Sequence, residues 1–277
     1  MAITASAGEL VTLALLLLAG GALTGILAGL FGVGGGAVIV PVLYQLFAVM
    51  DVPESVRMHL CVGTSLAAIV PTSIRSFRAH VAHGVGDTAV LRRWAVPVVA
   101  GVASGSLAAA FIASEGLRGI FAVIAAAVGS RFLLGRDDWR LADDLPGPVG
   151  MAAYGYGIGL CSAFMGVGGG ALSTLVMMLH NRPIHQAVAT SAGLGILVSV
   201  PGMLGYAISG LPQRALLPPL SIGYVSLIGA ALITPVSMLT APVGVRLAHR
   251  FRRRQLQYAF GVFLLAVAAR FLVSLIV

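Results

Sequence analysis

The chain has 277 residues, of which 58% are hydrophobic and only 9% are charged, and its mean hydropathy is +1.01. A soluble domain carries charge on about a quarter of its residues, so this composition excludes a water-soluble globular fold and predicts a polytopic membrane protein. The net charge is +8. Because the arginines stand between apolar runs, we interpret them as topology determinants and expect no nucleic-acid partner.

Eight apolar segments come close to or exceed the roughly 20 residues that a helix needs to cross a bilayer. They lie near 9–31, 60–79, 89–113, 117–135, 148–165, 186–209, 216–240 and 256–276. Two shorter apolar segments, near 36–50 and 170–180, each follow a run of glycines. The pattern predicts an all-α fold. We expect the first segment to be a retained span, because Glu9 stands where a signal peptide has basic residues.

The two glycine runs belong to an internal repeat. Residues 25–37 read GILAGLFGVGGGA and residues 159–171 read GLCSAFMGVGGGA, with seven of the thirteen positions identical. A separation of 134 residues, about half the chain, indicates a duplication. We therefore divide the chain into a first membrane repeat, 1–135, a cytoplasmic linker, 136–147, and a second membrane repeat, 148–277.

The arginine distribution predicts how the repeats are oriented. The loops 75–93 and 246–254 are the richest in arginine and should both be cytoplasmic. Five full-length spans separate them, which is consistent only if the short segment at 170–180 turns back within the membrane. Each repeat is then a glycine-tipped broken-helix hairpin plus three transmembrane helices. The two repeats are inverted, and both termini are predicted to be periplasmic.

The glycine runs are the predicted substrate site. Consecutive glycines interrupt a helix, and such a break within a membrane is tolerated where it is buried in protein or lines a cavity. The next helical segment then presents free N–H groups and a partial positive charge, which suit an anion, and two inverted tips can converge on one site. The residues are Gly34, Gly35, Gly36, Gly168, Gly169 and Gly170.

Two other interpretations of the glycine runs are open. Each run matches the dinucleotide-binding pattern GxGxxA, but that pattern requires a βαβ unit, and here the flanking segments are membrane spans. Alternatively, the glycines allow close helix packing and bind nothing. The presence of two copies, each followed by a short helix, favours a site.

Several motifs together resemble the sulfite exporter TauE/SafE family, also called toluenesulfonate uptake permeases. They are the twin GVGGG segments, the Thr-Ser pairs 64–65 and 190–191, the stretch from Arg75 to Asp87 and Ala241-Pro242-Val243-Gly244. The resemblance covers nearly the whole chain. It implies a bacterial inner-membrane, multi-pass transporter of sulfur-containing anions such as sulfite or organosulfonates. It implies neither a particular substrate nor a direction of transport.

Further polar residues are candidates for the transport path. Thr64, Ser65, Thr190 and Ser191 can contact an oxyanion, or can bond their own helix backbones. Arg75, Arg78, His80 and His83 can form a cytoplasmic mouth or gate, or can set topology and remain solvated. His59 begins a span and is a further titratable candidate.

The predicted function is secondary transport of a small sulfur-containing anion bound between two half-helix N-termini near the bilayer midplane. The alternatives are a transporter of another small organic or inorganic anion, and an intramembrane enzyme. We identify no catalytic residues, metal ligands or cofactor site in the sequence. The expected partners are the anion and the lipid bilayer, and a homo-oligomer is an alternative to a monomer.

Overall fold

The computed structural model describes residues 15, 18–27, 36–82, 87–134, 141–248, 251 and 253–276. Ten helices lie in these segments, together with one short 3-10 helix, Leu211–Leu216, and a two-stranded hairpin, β1 Ser221–Ile222 and β2 Val225–Ser226. The helices are α1 Leu18–Leu27, α2 Gly36–Val49, α3 Glu54–Ala82, α4 Thr88–Ala109, α5 Ser114–Leu134, α6 Pro148–Met165, α7 Gly170–Leu179, α8 Ile184–Ser209, α9 Leu227–Ala248 and α10 Arg253–Ile276.

Five helices are long and apolar enough to cross a membrane: Glu54–Arg78, Ser114–Leu134, Gln186–Ser209, Leu227–Gly244 and Arg254–Leu275. Large apolar side chains also cover the outside of the molecule. Phe111 and Val149 are each 84% exposed. A water-soluble monomer rarely exposes so many apolar side chains, whereas lipid solvates them. The structure confirms the predicted all-α polytopic membrane fold.

Contacts between distant parts of the chain define two ends of the helical bundle. One end, here called the hairpin end, is where β2 of the two-stranded hairpin packs against α3. There the start of α3 meets the α4–α5 turn, where the Met58 N–H donates to Ser114 Oγ at 3.1 Å, and the end of α2 meets α10, where the rings of Tyr44 and Phe271 are 5.2 Å apart. At the linker end, the Leu141 N–H donates to the carbonyl of Leu179 at 2.8 Å, and Arg182 pairs with Asp144. Helix α2 therefore runs toward the hairpin end, and α7 runs toward the linker end.

Helices α3 and α8 pack side by side and run in opposite directions, since Gly195 of α8 meets Ser73 of α3 and Gly202 meets Leu66.

Helix α4 packs against α6, and α5 packs against α10. The α4–α6 crossing is close because both helices contribute glycines. A Cβ at Gly101 would overlap the carbonyl oxygen of Tyr156, and a Cβ at Gly159 would overlap that of Val98. Small residues at such crossings let helix backbones approach each other in membranes.

The short helices predicted at 36–50 and 170–180 are confirmed as α2 and α7, but two predicted boundaries are wrong. The span expected to start near 60 begins at Glu54, because an acidic first turn suits a helix N-terminus although it is not apolar. The span expected from 216 begins at Leu227. Pro218 and Pro219 lack the N–H donors that a continuous helix needs. Gly223, with φ +52°, forms the turn of the β1–β2 hairpin there instead.

Candidate substrate site

The second glycine run reverses the chain between α6 and α7. Helix α6 ends at Met165. The next residue, Gly166, adopts the left-handed conformation with φ +64°, and the N–H groups of Gly166 and Val167 both donate to the carbonyl of Ser162. Gly169, with φ +72°, then precedes the first residue of α7. Left-handed backbone is routine only for glycine. Any other residue at either position would hold a strained backbone, so the break depends on the two glycines.

Helix α7 begins inside this break. The Ser173 N–H donates to the carbonyl of Gly169 at 2.9 Å, and Ser173 Oγ donates to the same carbonyl at 2.7 Å. The preceding N–H groups of the helix, on Gly170, Ala171 and Leu172, have no intrahelical acceptor, as at any helix start. No side chain caps this terminus. The start of α7 thus offers free donors together with the positive end of the helix dipole.

The start of α2 lies against the same break. A Cβ at Gly36 would lie 2.7 Å from the carbonyl oxygen of Gly166 and 2.7 Å from Val167 Cα. Gly36, the last residue of the first glycine run, is therefore a neighbour of the second run in the fold. Gly34 and Gly35 lie outside the described residues, and Gly36, Gly168, Gly169 and Gly170 are the members of the predicted site that the structure places together.

The walls of the break come from α3 and α8. Ile69 lies within 2.9 Å of the Cβ positions of both Gly36 and Gly168, and Val198 lies 3.2 Å from that of Gly169. Ile69 is 15 residues from Glu54 and 9 residues from Arg78, the limits of its apolar span. These separations correspond to roughly 22 and 14 Å along a helix. The break is therefore well inside the apolar layer of the molecule.

All four hydroxyl groups of the two Thr-Ser pairs have protein partners. Ser65 Oγ donates to the carbonyl of Gly166 at 2.7 Å, so it touches the break directly. Ser191 Oγ donates to the carbonyl of Val188 in its own helix. These bonds give each serine a structural role, and its predicted contact with substrate stays a prediction.

The two threonines make equivalent contacts. Thr64 Oγ1 accepts the N–H of Ser226 at 2.9 Å, and Thr190 Oγ1 accepts the N–H of Asp87 at 2.9 Å. Ser226 and Asp87 are the residues just before α9 and α4, and each side chain also accepts an N–H from the first turn of that helix. Each threonine thus joins its own sequence repeat to a helix start in the other repeat. A direct contact with substrate stays a prediction here too.

The predicted mouth residues are only partly described. Arg75 and Arg78 are exposed in the last part of α3, at the linker end. The side chain of His80 and the whole of His83 lie outside the described residues. His59 is buried at the opposite end, where Nε2 donates to the carbonyls of Ala109 and Ile112 at 3.0 and 3.1 Å. In the described segments no group of three or more His, Cys, Asp or Glu side chains is arranged to hold a metal ion.

The structure adds polar residues that the sequence did not single out. Ser162, on the last turn of α6, and Ser199, on α8, are fully buried, and their hydroxyls have no partner among the described residues. Arg118, only 4% exposed, donates to Tyr44 and Glu54 and ties α5 to α2 and α3. One feature of the sequence could have identified Ser162, namely its position four residues before the second glycine run.

Comparisons with known proteins agree with this architecture. The sequence profile of the family described as "Sulfite exporter TauE/SafE" matches residues 17–271. A "Probable membrane transporter protein" of Haemophilus influenzae is 34% identical over 259 residues, which cover 93% of this chain and 97% of the relative. Proteins with similar names from Methanocaldococcus jannaschii and Bacillus subtilis are 26% and 27% identical, over 90% and 69% of this chain and 91% and 77% of theirs. The chain therefore belongs to the sulfite exporter TauE/SafE family and is a multi-pass membrane transporter.

Proposed function

We propose that the protein is a secondary transporter of a small sulfur-containing anion, sulfite or an organosulfonate, which binds at the glycine break between the starts of α2 and α7. The observation that carries the proposal is the buried break at Gly168 and Gly169, from which α7 begins beside the start of α2 inside the apolar layer. A helix start supplies free N–H donors and about half a positive charge. Irregular backbone at this depth is typical of substrate sites in transporters.

We propose further that the two repeats are inverted, an arrangement suited to a transport cycle. Helices α2 and α7 leave the break toward opposite ends of the bundle, and α3 and α8 pack antiparallel beside it. The reciprocal bonds of Thr64 and Thr190 connect the repeats in the same way at the two ends. Inverted repeats around a central site permit alternating access, because one repeat can rock against the other and open the site to either side.

The orientation follows from the arginine-rich loops. We place the linker end, with Arg75 and Arg78, in the cytoplasm of a bacterial inner membrane, and both termini in the periplasm. The two arginines then stand at the cytoplasmic entrance, where they can attract an anion. We expect transport to require no cofactor.

Flux into sealed vesicles tests the proposal. The purified chain is reconstituted, and uptake of radiolabelled sulfite and methanesulfonate is compared with uptake of acetate and with empty vesicles. We expect sulfite or methanesulfonate uptake that exceeds both controls. Gly169→Val should abolish the uptake, because the side chain meets Val198 and strains a left-handed residue. The matched control is Gly157→Val, since Gly157 has open space around its Cβ position.

Two outcomes would contradict the proposal. One is uptake that never exceeds the rate in empty vesicles for any sulfur anion. The other is a Gly169→Val protein that inserts, folds and transports at the rate of the Gly157→Val protein. If acetate is transported as fast as the sulfur anions, the protein is still an anion transporter, but the proposed specificity for sulfur anions is wrong.

A further inference from the structure

Ser162 carries an unpaired hydroxyl group beside Gly169, the residue just before α7. The residue is 0% exposed, and its Oγ has no hydrogen-bond partner in the described part of the chain. That Oγ lies 3.5 Å from the position a Cβ would take on Gly169, the residue just before α7. Buried polar groups are nearly always paired. An unpaired hydroxyl directed at a helix start therefore calls for a partner.

Several other buried serines satisfy their hydroxyls within the protein, whereas Ser199 on α8, like Ser162, has no partner among the described residues. Ser173 Oγ donates to the carbonyl of Gly169, and Ser106 Oγ donates to that of Ala103, three residues earlier in its helix. Ser162 makes no such bond. Its backbone carbonyl is already occupied by the N–H groups of Gly166 and Val167. The side chain thus has no role in ending α6 and is free to donate to a bound molecule.

The two kinds of donor lie close to the same residue, Gly169. Helix α7 is ten residues long, and its first N–H groups, on Gly170 and Ala171, have no intrahelical acceptors. Ser162 Oγ adds a hydroxyl donor beside them. Donors of this kind, from a helix start and a neighbouring hydroxyl, match the oxygens of an oxyanion.

We propose that Ser162 Oγ and the N–H groups at the start of α7 form an oxyanion subsite that binds a singly charged ligand, a sulfonate group or hydrogen sulfite. This inference rests on the proposed transport function and specifies the substrate's charge and one of its contacts. The sequence repeat places Ala28 at the position of Ser162 in the other run. The hydroxyl is therefore particular to the second repeat.

The charge of the ligand follows from what surrounds the break. Each helix start contributes roughly half a positive charge, and the starts of α2 and α7 together balance about one negative charge. The neighbouring side chains Ile69, Ile158 and Val198 are apolar. A second negative charge would be buried beside them without compensation, which is strongly unfavourable. A monoanion fits the site, and a dianion of the same shape does not.

Binding to the purified full-length chain tests the inference, with methanesulfonate and sulfate as ligands of similar shape and different charge. Titration calorimetry should detect methanesulfonate and give at least tenfold weaker binding of sulfate. Ser162→Ala should weaken methanesulfonate binding by about tenfold or more, the usual effect of losing a hydrogen bond to a charged group. Ser104→Ala is the matched control, because Ser104 Oγ has its partners within the protein, at Gly101 and Tyr156; it should bind as the unsubstituted chain does.

The outcomes separate this inference from the transport proposal. If Gly169→Val abolishes methanesulfonate binding while Ser162→Ala leaves it unchanged, the Ser162 contact is refuted and the glycine site stands. If both variants bind normally, the site itself is refuted. Sulfate binding as tight as methanesulfonate binding would refute the charge selection. If Ser162→Ala does not fold, Ser162→Cys replaces it; a thiol is a poor donor of similar size, so the same weakening is expected, and unchanged affinity would overturn the inference.

Discussion

Thr64 Oγ1 accepts the N–H of Ser226, and Thr190 Oγ1 accepts the N–H of Asp87, each over 2.9 Å. Both threonines are almost completely buried, at 0% and 1% exposure. A buried N–H that loses its acceptor costs about 1–3 kcal/mol. The two hydroxyls therefore stabilise the junctions between the repeats, whatever else they contact during transport.

Replacing either threonine with valine should destabilise the protein by a similar amount. Thr64→Val and Thr190→Val keep the side-chain shape and remove the acceptor, so we expect each to lower the free energy of unfolding by about 1–3 kcal/mol. The melting temperature in detergent measures the effect. Thr72→Val is the control, because Thr72 Oγ1 only donates to carbonyls of its own helix, at Ile69 and Ala68. Unchanged melting temperatures with lost anion binding would instead make the threonines substrate ligands.

The Ser162 subsite also predicts the effect of pH on sulfite binding. Hydrogen sulfite carries one negative charge and sulfite carries two. If only the singly charged form binds, the apparent affinity for total sulfite falls as the pH rises through the second pKa of sulfurous acid. Methanesulfonate keeps one charge over this range, so its affinity should stay constant and serves as the control. Sulfite affinity that rises with pH would show that the dianion is the ligand.

At the level of helices, the sequence carried most of the information. Apolar length predicted the spans, and consecutive glycines predicted the break before α7, because glycine is the residue that left-handed backbone favours. The hairpin at 221–226 escaped prediction, since its six residues carry no charge and lie between apolar residues. Ser162 escaped because an unpaired hydroxyl is a property of the folded molecule. The partners of Thr64 and Thr190 escaped too, because they lie more than 100 residues away.

The close crossing of α4 and α6 requires a glycine at position 101. A side chain there would overlap the carbonyl oxygen of Tyr156, and backbone atoms cannot yield as the end of a side chain can. We expect Gly101→Val to separate the helices and to lower the free energy of unfolding by about 1–3 kcal/mol or more, the usual cost of overpacking. Gly157→Val, on the open face of α6, should melt close to the unsubstituted chain. Equal melting temperatures for the two variants would contradict the packing.

Gly105 belongs to the same crossing. A Cβ there would lie 2.8 Å from that of Ala163, so substitutions at Gly105 disturb packing and cannot serve as neutral controls for the glycine break. Gly157 has no neighbouring atom within 4 Å of its Cβ position and is the better reference for variants at Gly169.

For the whole molecule, the proposed orientation places the linker end in the cytoplasm. Single cysteines at Gly86 and Gln255 should then react with an impermeant thiol reagent from the cytoplasmic face, and a cysteine at the exposed Gln213 should react from the periplasmic face. The background replaces Cys61, which is buried, and Cys161, which is half-buried. Labelling of the Gly86 and Gln255 positions from opposite faces would rule out the inverted orientation of the repeats.

The position of the bound anion shows whether the glycine break is a substrate site or whether its glycines only allow close packing. Selenite is a close analogue of sulfite, and its selenium atom gives an anomalous diffraction signal that marks its position in a crystal. We expect an anomalous peak beside Ser162 Oγ and the N–H groups of Gly170 and Ala171, and we expect Gly169→Val crystals to lack it. A peak confined to the exposed Arg75 and Arg78, or one that persists at full height in Gly169→Val, would place the substrate elsewhere.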